Sequence, residues 1–182
     1  MRESVIKVYE FHELSEKAKQ KALEEFSDIN VSHDWWDYYY AELLSVGIQV
    51  WGFDIDRRSI NFKLKDCAQA VWDDIVKEGW GCEIGELAKE LKAKYEAFLE
   101  TVPDSEDWSW RETEEKRKEW FDEELNGFED SMYYEFTRRL ARLILKYLKE
   151  DYDHLTSEEA IVETIEANEY EFYEDGKHCW RH

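Results

Sequence analysis

The sequence predicts an α+β fold, a mostly helical single domain in which about six to seven helices cover a small antiparallel sheet. Apolar side chains recur at helical spacing through most of the chain, whereas residues 48–65 alternate as strands do. A chain of 182 residues is long enough for one domain with a real core. One proline, seven glycines and 16% aromatic residues argue against disorder, although 38% of the residues are charged.

The N-terminal segment predicts a strand followed by a helix. Apolar residues occupy both faces of a strand over residues 4–11, so a covered strand is expected. Ser15 is a suitable N-cap, and Glu16 places a negative charge in the first turn, where the helix dipole favours it. The helix then has an apolar residue at every fourth position: Leu14, Ala18, Ala22 and Phe26.

Aromatic side chains dominate the second predicted helix, which Ser32 can cap and Gly47 can end. Two interpretations are open: a core helix, or an interaction surface, because Trp and Tyr are common in binding hot spots. Core packing is preferred for Trp36, Tyr40 and Leu43, whereas Trp35 and Tyr38 stay open. The apolar side consists of Trp35, Trp36, Tyr39, Tyr40, Leu43 and Leu44.

A hairpin follows, with strands at residues 48–54 and 59–65 and a turn at 56–58. Asp54 and Asp56 are spaced as in the start of a calcium loop. The glycine and the closing glutamate that such a loop requires are missing, so a calcium site is not expected here.

Two further helices are predicted before the only proline. Asp66 is the expected cap of the third helix, which ends at Gly79, and the fourth begins near Glu83 and ends before Pro103. Their apolar stripes are Ala68, Val71, Trp72, Ile75 and Val76 in the third, and Ile84, Leu87, Leu91, Tyr95 and Phe98 in the fourth.

Residues 104–130 form an acidic stretch with few apolar positions. A helix over residues 109–126 has a thin apolar stripe and two polar sides. It is either a solvated outer helix of the domain or a projecting acidic helical arm, and both interpretations stay open. Pairs at i, i+4, such as Glu112 with Lys116 and Glu114 with Lys118, partly neutralise it.

The dipeptide at 126–127, Asn-Gly, predicts a break or a kink before a long amphipathic helix over residues 128–147. Residues 136–149 of this helix region contain five basic residues and no acidic one. The flanking segments are the reverse: residues 101–135 hold 13 acidic and 4 basic residues, and residues 150–175 hold 11 acidic residues and no Lys or Arg. The apolar stripe consists of Phe128, Met132, Phe136, Leu140, Ile144 and Leu148, widened by Tyr133, Leu143 and Tyr147.

The C-terminal part predicts a short helix and a strand. Thr156 and Glu159 match a capping box for a helix that runs to Ala167. Residues 168–174 alternate as a strand does, and a turn at 175–176 allows residues 177–181 to fold back as a second, ragged strand.

The net charge of −21 and the pI near 4.6 restrict the partners. Phosphate backbones and anionic membranes repel such a chain, so no direct nucleic-acid or membrane contact is expected. The remaining options are a neutral role, a cationic ligand or a basic protein surface, and an acidic surface that serves only solubility is the plain alternative. No apolar run is long enough to span a membrane, and three widely spaced cysteines predict reduced thiols in a cytosol.

No catalytic motif is recognised, and the chain is predicted not to be an enzyme and to need no cofactor. A glycine-rich phosphate loop and a nucleophile elbow are both missing. His178, Cys179 and His182 form a cluster of metal-ligand types, but no second ligand pair has zinc-site spacing, so no metal site is predicted.

Three segments together carry a resemblance to a known family. They are IKVY at 6–9 leading into ELSEKAKQKA at 13–22, then INV at 29–31 with DWW at 34–36, and last ANEYEF at 167–172 with EDGK at 174–177. The chain resembles a family of small acidic phage- and prophage-encoded proteins that includes type II anti-CRISPR proteins, which inhibit RNA-guided CRISPR nucleases. The resemblance covers residues 4–40 and 156–177, and it implies no active-site residues.

The resemblance and the charge lead to one functional expectation. Type II effectors hold nucleic acid in basic channels, to which an acidic protein is attracted. We therefore expect an inhibitor in the host bacterial cytosol that binds a type II CRISPR effector nuclease, or its guide-RNA complex, stoichiometrically. The alternative is a phage regulatory or antitoxin-like module for another basic protein. The predicted contact residues are Asp104, Glu106, Asp107, Glu112, Glu114, Glu115, Glu119, Asp122, Glu123, Glu124, Glu129 and Asp130, with the acids of 158–175 as the second candidate.

Overall fold

A computed structural model describes residues 7–101 and 113–180, except for the side chains at 113, 117 and 120–122. It confirms the predicted class, since helices and one small antiparallel hairpin make up the regular structure of the described ranges. The elements in order are a 3₁₀ turn (Phe11–Glu13), α1 (Glu16–Glu25), α2 (Asp37–Ser45), β1 (Ile48–Asp54), β2 (Ser59–Leu64), α3 (Ala68–Lys77), α4 (Glu83–Leu99), α5 (Thr113–Trp120), a π-helical segment (Phe121–Leu125), α6 (Asn126–Leu155) and α7 (Glu158–Ala167).

The chain divides into two compact units, which are described separately. The terminal unit consists of Met1–Asp37 and Leu148–His182, and the central unit is Tyr38–Tyr147. The sequence prediction of one domain stays a prediction.

Apolar side chains from both chain ends form the core of the terminal unit. Phe172 is fully buried and contacts Phe11 and Phe26 edge to face, with ring centroids 6.1 and 5.8 Å apart. The helical members come from α1 and α7, and the predicted stripe of α1 is confirmed. The buried cluster comprises Phe11, Leu14, Ala18, Ala22, Phe26, Ile161, Ile165 and Phe172.

The terminal strands are reduced to isolated bridges in the described residues. Tyr9 and Phe172 exchange two backbone hydrogen bonds of 2.8 Å, and Phe172 also bridges His178. The predicted strand at 4–11 is wrong over its described part, because the chain turns into a 3₁₀ turn at Phe11. The predicted strand at 168–174 is likewise too long, because Glu169 takes a left-handed conformation with φ 52°.

The caps of the helices are only partly as predicted. Ser15 caps α1, accepting from the amide of Ala18 at 3.3 Å. The capping box at Thr156 is wrong: the Thr156 hydroxyl donates to the Tyr152 carbonyl at 2.7 Å, at the end of α6. Ser157 caps α7 instead, accepting from the amide of Ala160.

The second and third helices begin later than the sequence predicts. The Ser32 hydroxyl donates to the carbonyl of Ile29, and turns occupy the chain up to the start of α2 at Asp37. Asp66 is not a cap, because extended backbone dihedrals place the N-cap of α3 at Cys67. Gly47, with φ 81°, follows α2 as predicted.

The predicted hairpin is confirmed in the central unit. β1 and β2 are antiparallel, with Ile48 opposite Leu64 and Asp54 opposite Ser59. The register shifts between Val50 and Gly52, so Trp51 has no partner in the ladder.

Helices α3, α4 and α6 supply the rest of the core of this unit. Trp72 is 1% exposed and contacts Phe136 edge to face, with ring centroids 5.8 Å apart. The α6 stripe is confirmed at every fourth position from Met132 to Ile144, but Tyr133, expected to widen it, is 47% exposed. Within the central unit, the other large buried side chains are Leu43, Val46, Ile48, Val50, Val71, Ile75, Ile84, Leu87 and Leu91.

No break separates the acidic stretch from the long helix. The break predicted at Asn126-Gly127 is wrong, since α5 continues through the π-helical segment Phe121–Leu125 into α6. The alternative, a kink at this position, stays a prediction. A π turn absorbs an extra residue without ending the helix. Phe128 then stacks on Phe98 of α4 with ring centroids 3.8 Å apart and 9° between the planes. None of the helices in the described ranges has the length and apolar character to cross a membrane.

Candidate functional site

The acidic segment, residues 113–130, presents a row of exposed carboxylates on continuous helical backbone. In the described part of the chain, none of these carboxylates has a Lys or Arg nitrogen within ion-pairing distance; the predicted pair of Glu114 with Lys118 is not formed. Exposed pairs gain little free energy in water, so such a pair is easily lost to solvent. The exposed acids are Glu114, Glu115, Glu119, Glu123, Glu124 and Asp130.

Several predicted contact residues lie outside the described residues. These are Asp104, Glu106, Asp107 and Glu112, together with the side chain of Asp122. The predicted pair of Glu112 with Lys116 falls there as well.

Glu129 differs from its acidic neighbours because the central unit holds it. The Tyr95 hydroxyl donates to its Oε1 at 2.7 Å, and the Gln69 amide donates to the same atom at 3.0 Å. Burial, followed by the hydrogen bond to Glu129, raises the pKa of Tyr95. Glu129 therefore fixes the start of α6 on α3 and α4, and it offers less of its charge to a partner than the prediction assumed.

Arg139 of α6 is engaged inside the central unit. Arg139 forms a fork with Glu90 of α4, two bonds of 2.7 Å, and reaches Glu135 at 3.2 Å. Its hydrogen bond lowers the pKa of Glu90, and Lys94, at 2.7 Å, together with Arg139 lowers the pKa of Glu135. These cations are therefore not available to cancel the charge of the acidic segment.

A similar arrangement is found two helical turns further along α6. Lys146 donates to Glu83 at the start of α4 and is the main cause of the lowered pKa of that carboxyl. The Tyr147 hydroxyl accepts the Glu83 amide hydrogen at 3.1 Å. Burial raises the pKa of Tyr147.

The second candidate surface, the acids of 158–175, is built on α7 and the segment after it. Glu158 and Glu159 occupy the first turn of α7, where the helix dipole favours negative charge. Glu163 and Glu166 are also exposed. At the far end Asp175 is paired with Lys21 at 2.8 Å, which lowers the pKa of its carboxyl.

A cavity of about 860 Å³ lies in the terminal unit between the 3₁₀ turn, the end of α7 and the C-terminal segment. Acidic and aromatic side chains predominate in its walls, and no Lys or Arg of the described residues lines it. The walls are Glu10, Phe11, His12, Ile165, Glu166, Glu169, Tyr170, Glu171, His178, Cys179 and Trp180. From the sequence, His178 and Cys179 are possible metal ligands only, and no cavity is predicted there, because its walls come from opposite ends of the chain.

Within residues 7–101 and 113–180, no three His, Cys, Asp or Glu side chains are placed to hold a metal ion. His182, part of the cluster that the sequence analysis considered, lies outside the described residues. The thiols of Cys67, Cys82 and Cys179 are free.

A comparison of the chain with protein-family models, with curated proteins and with solved structures gives no match. The resemblance of the chain ends to phage-encoded proteins therefore stays a prediction.

Proposed function

We propose that this chain is a non-catalytic inhibitor that binds a type II CRISPR effector nuclease through the acidic segment. One observation carries the proposal: six exposed carboxylates of this segment lack a described ion pair, while the cations Arg139 and Lys146 of the same helix are bound to acids of α4. A channel that holds nucleic acid presents Lys and Arg at phosphate spacing, and carboxylates can take the place of the phosphates there.

The segment suits this role because its backbone is already ordered. It continues into α6, whose start is fixed by the stack of Phe128 on Phe98 and by the two hydrogen bonds to Glu129. Carboxylates presented on preformed helix lose less conformational entropy on binding than those of a disordered tail.

The first experiment is DNA cleavage by a reconstituted type II effector, with the protein added before or after the target DNA. Inhibition only before DNA indicates competition for the DNA-binding surface. Inhibition in both orders indicates a block of the cleavage step. Added salt should weaken binding, because exposed charges are screened within about 10 Å at 0.1 M ionic strength.

A charge-reversal variant assigns the contact surface. Glu114, Glu115, Asp122 and Glu123 are changed to Lys, and inhibition should be lost while the fold is kept. The matched control changes four exposed acids elsewhere, Asp28, Glu42, Asp56 and Asp74, to Lys, which alters the net charge equally. Loss of inhibition in both variants would mean that only total charge matters. Full inhibition by the first variant would exclude the acidic segment as the contact.

The alternative is a regulatory or antitoxin-like module for another basic host protein. Exposed carboxylates attract any basic protein surface and do not by themselves select one partner. The acidic segment therefore supports this alternative as well. No inhibition across a panel of effectors, together with salt-sensitive binding to a different basic protein, favours it.

A further inference from the structure

The cavity of the terminal unit combines negative charge with aromatic walls. Glu166, Glu169 and Glu171 approach it from the end of α7 and the segment that follows, and Glu10 approaches from the N-terminal side. Glu10 has His12 as an ion-pair partner at 3.4 Å, whereas Glu166 and Glu169 have no ion pair among the described residues. Its volume of about 860 Å³ is large enough to hold an amino-acid side chain.

Aromatic rings pack edge to face around His178 at the wall of this cavity. The ring centroid of Trp180 is 4.3 Å from that of His178, and those of Tyr170 and Phe26 are 5.0 and 5.2 Å away. Trp180 is 71% exposed, so its indole is available to a ligand. The faces of Trp and Tyr attract cations, and guanidinium most often.

His178 places a buried polar side chain in the wall of this cavity. The residue is only 9% exposed, and its Nδ1 has no hydrogen-bond partner in the described part of the chain. A buried polar atom without a partner is unfavourable, and native structures seldom keep one without a reason. A neutral imidazole nitrogen accepts hydrogen bonds, and a guanidinium carries five donors and no acceptor.

The arrangement of the possible ligands argues against a metal ion in this cavity. A metal ion needs its ligands converging on one point, and no such group of three exists among the described side chains. A planar guanidinium has donors on several edges, so separate carboxylates can each bind one edge while a ring covers its face. An ammonium group is compact, so it is less able to bind separate carboxylates and contact an aromatic face at the same time.

We propose that this cavity binds the side chain of an arginine in a peptide segment of a partner protein. Glu166 and Glu169 accept from the guanidinium, Trp180 and Tyr170 cover it, and His178 lies behind it. The inference does not rest on the proposed function, since binding to the cavity can be measured on the purified chain without any nuclease.

The test is an NMR titration of the full chain with N-acetyl-arginine amide, following the imidazole of His178 and the indole of Trp180. N-acetyl-citrulline amide, nearly the same shape without the charge, and N-acetyl-lysine amide are the comparison probes. Arginine should shift both signals saturably, lysine should bind at least about threefold more weakly, and citrulline should leave them unchanged. Equal shifts with citrulline and arginine would overturn the proposal.

Paired variants locate the site. Glu166→Gln with Glu169→Gln keeps the shape of the wall, and because each change removes a charge-assisted hydrogen bond, arginine binding should fall about tenfold or more. Glu158→Gln with Glu163→Gln removes the same charge from parts of α7 that do not line the cavity, and binding should stay within about twofold. Equal losses in the two variants would reduce the effect to net charge and refute the site. Trp180→Leu should also weaken arginine binding. Unchanged binding would show that the indole is not part of the site.

Discussion

The Thr164 hydroxyl donates a hydrogen bond of 2.7 Å to the side-chain oxygen of Asn30. The amide nitrogen of Asn30 donates to the carbonyls of Leu155 and Ala160 at 3.0 and 3.2 Å. One half-buried side chain thus joins the turn after α1 to the end of α6 and to two positions of α7. Leu155 is the last residue of α6, so its carbonyl has no partner within that helix and Asn30 supplies one.

Replacing Asn30 by Ala should lower the free energy of unfolding by about 1–3 kcal/mol, because polar groups stay behind without partners. Asn168→Ala is the matched control. Its amide also donates to a helix carbonyl, that of Thr164, at 2.8 Å, but it is exposed and water can replace it. Urea unfolding of both variants measures the difference. Equal losses of unfolding free energy would show that the hydrogen bonds of Asn30 contribute no more than an exposed hydrogen bond does.

The burial pattern of α6 could be predicted because it is local. Phe136, Leu140 and Ile144 recur every four residues, and that period alone assigns them to one face. The exposure of the acids in the same helix follows from the complementary positions. The four-residue recurrence of apolar side chains could not predict the hydrogen bond of Glu129 with Tyr95, since the two residues are 34 apart in sequence.

The chain ends could not be predicted in the same way. The alternation around Tyr9 and Phe172 is genuine in that both residues pair, but pairing stops after one bridge because the 3₁₀ turn follows directly. Likewise Thr156 and Ser157 are adjacent residues that can both cap a helix. Ser157 is the cap because its backbone has the extended dihedrals of an N-cap. The cavity depends on these non-local contacts, so its walls are not evident from any one segment.

Gly176 should tolerate no side chain. Its φ of 85° is left-handed, and a Cβ there would lie 2.1 Å from the carbonyl oxygen of Ala18 in α1. Gly79, with φ 71°, has the same backbone requirement but no atom within 4 Å of such a Cβ. Gly79→Ala should therefore lower the free energy of unfolding by about 1–2 kcal/mol, because alanine is strained at a left-handed φ. Gly176→Ala should lose about 2 kcal/mol more, as overpacking adds to the strain.

Thermal unfolding of the two glycine variants tests this comparison. A Gly176→Ala variant as stable as Gly79→Ala would contradict the close approach of residue 176 to α1.

Arg139 should make the central unit sensitive to acid. It lowers the pKa of Glu90 and helps to lower that of Glu135 from the ordinary value of 4.5, so both carboxylates are favoured in the folded state. Their contribution is complete above that ordinary value and is lost as the pH falls through the lowered pKa. Arg139→Gln should flatten the pH dependence of unfolding below about pH 4.5.

The expected loss for Arg139→Gln near neutral pH is about 0.5–1 kcal/mol, since side chains of this pair are partly exposed. Arg142→Gln is the control, because Arg142 is exposed and has no described ion pair. Denaturant unfolding over a series of pH values gives the slope of unfolding free energy against pH for each variant. Identical slopes for the two variants would show that the Arg139 fork does not persist in solution.

Glu129 and Asp130 are neighbours in the acidic segment with different expected roles. Glu129→Ala leaves the Tyr95 hydroxyl and the Gln69 amide without their shared acceptor and should lose about 1–3 kcal/mol of unfolding free energy. Asp130→Ala removes an exposed carboxylate and should change stability by less than about 0.5 kcal/mol. In the effector binding assay the order should reverse: at a temperature where both variants are folded, Asp130→Ala weakens binding more. The opposite order in that assay would make Glu129 a contact residue.

Gly127 lies inside the continuous helix rather than at a break, and this makes it a site of stabilisation. A Cβ at this position meets no atom within 4 Å, and the residue is exposed. Gly127→Ala should raise the free energy of unfolding by about 0.5–1 kcal/mol, because alanine loses less backbone entropy than glycine in a helix. Gly85 in α4 is the contrast, since its Cβ would lie 1.8 Å from the Trp80 carbonyl oxygen and Gly85→Ala should destabilise. Urea unfolding compares the two with the natural chain. Destabilisation by Gly127→Ala would mean that the helix is interrupted there after all, as Asn126-Gly127 suggests from sequence.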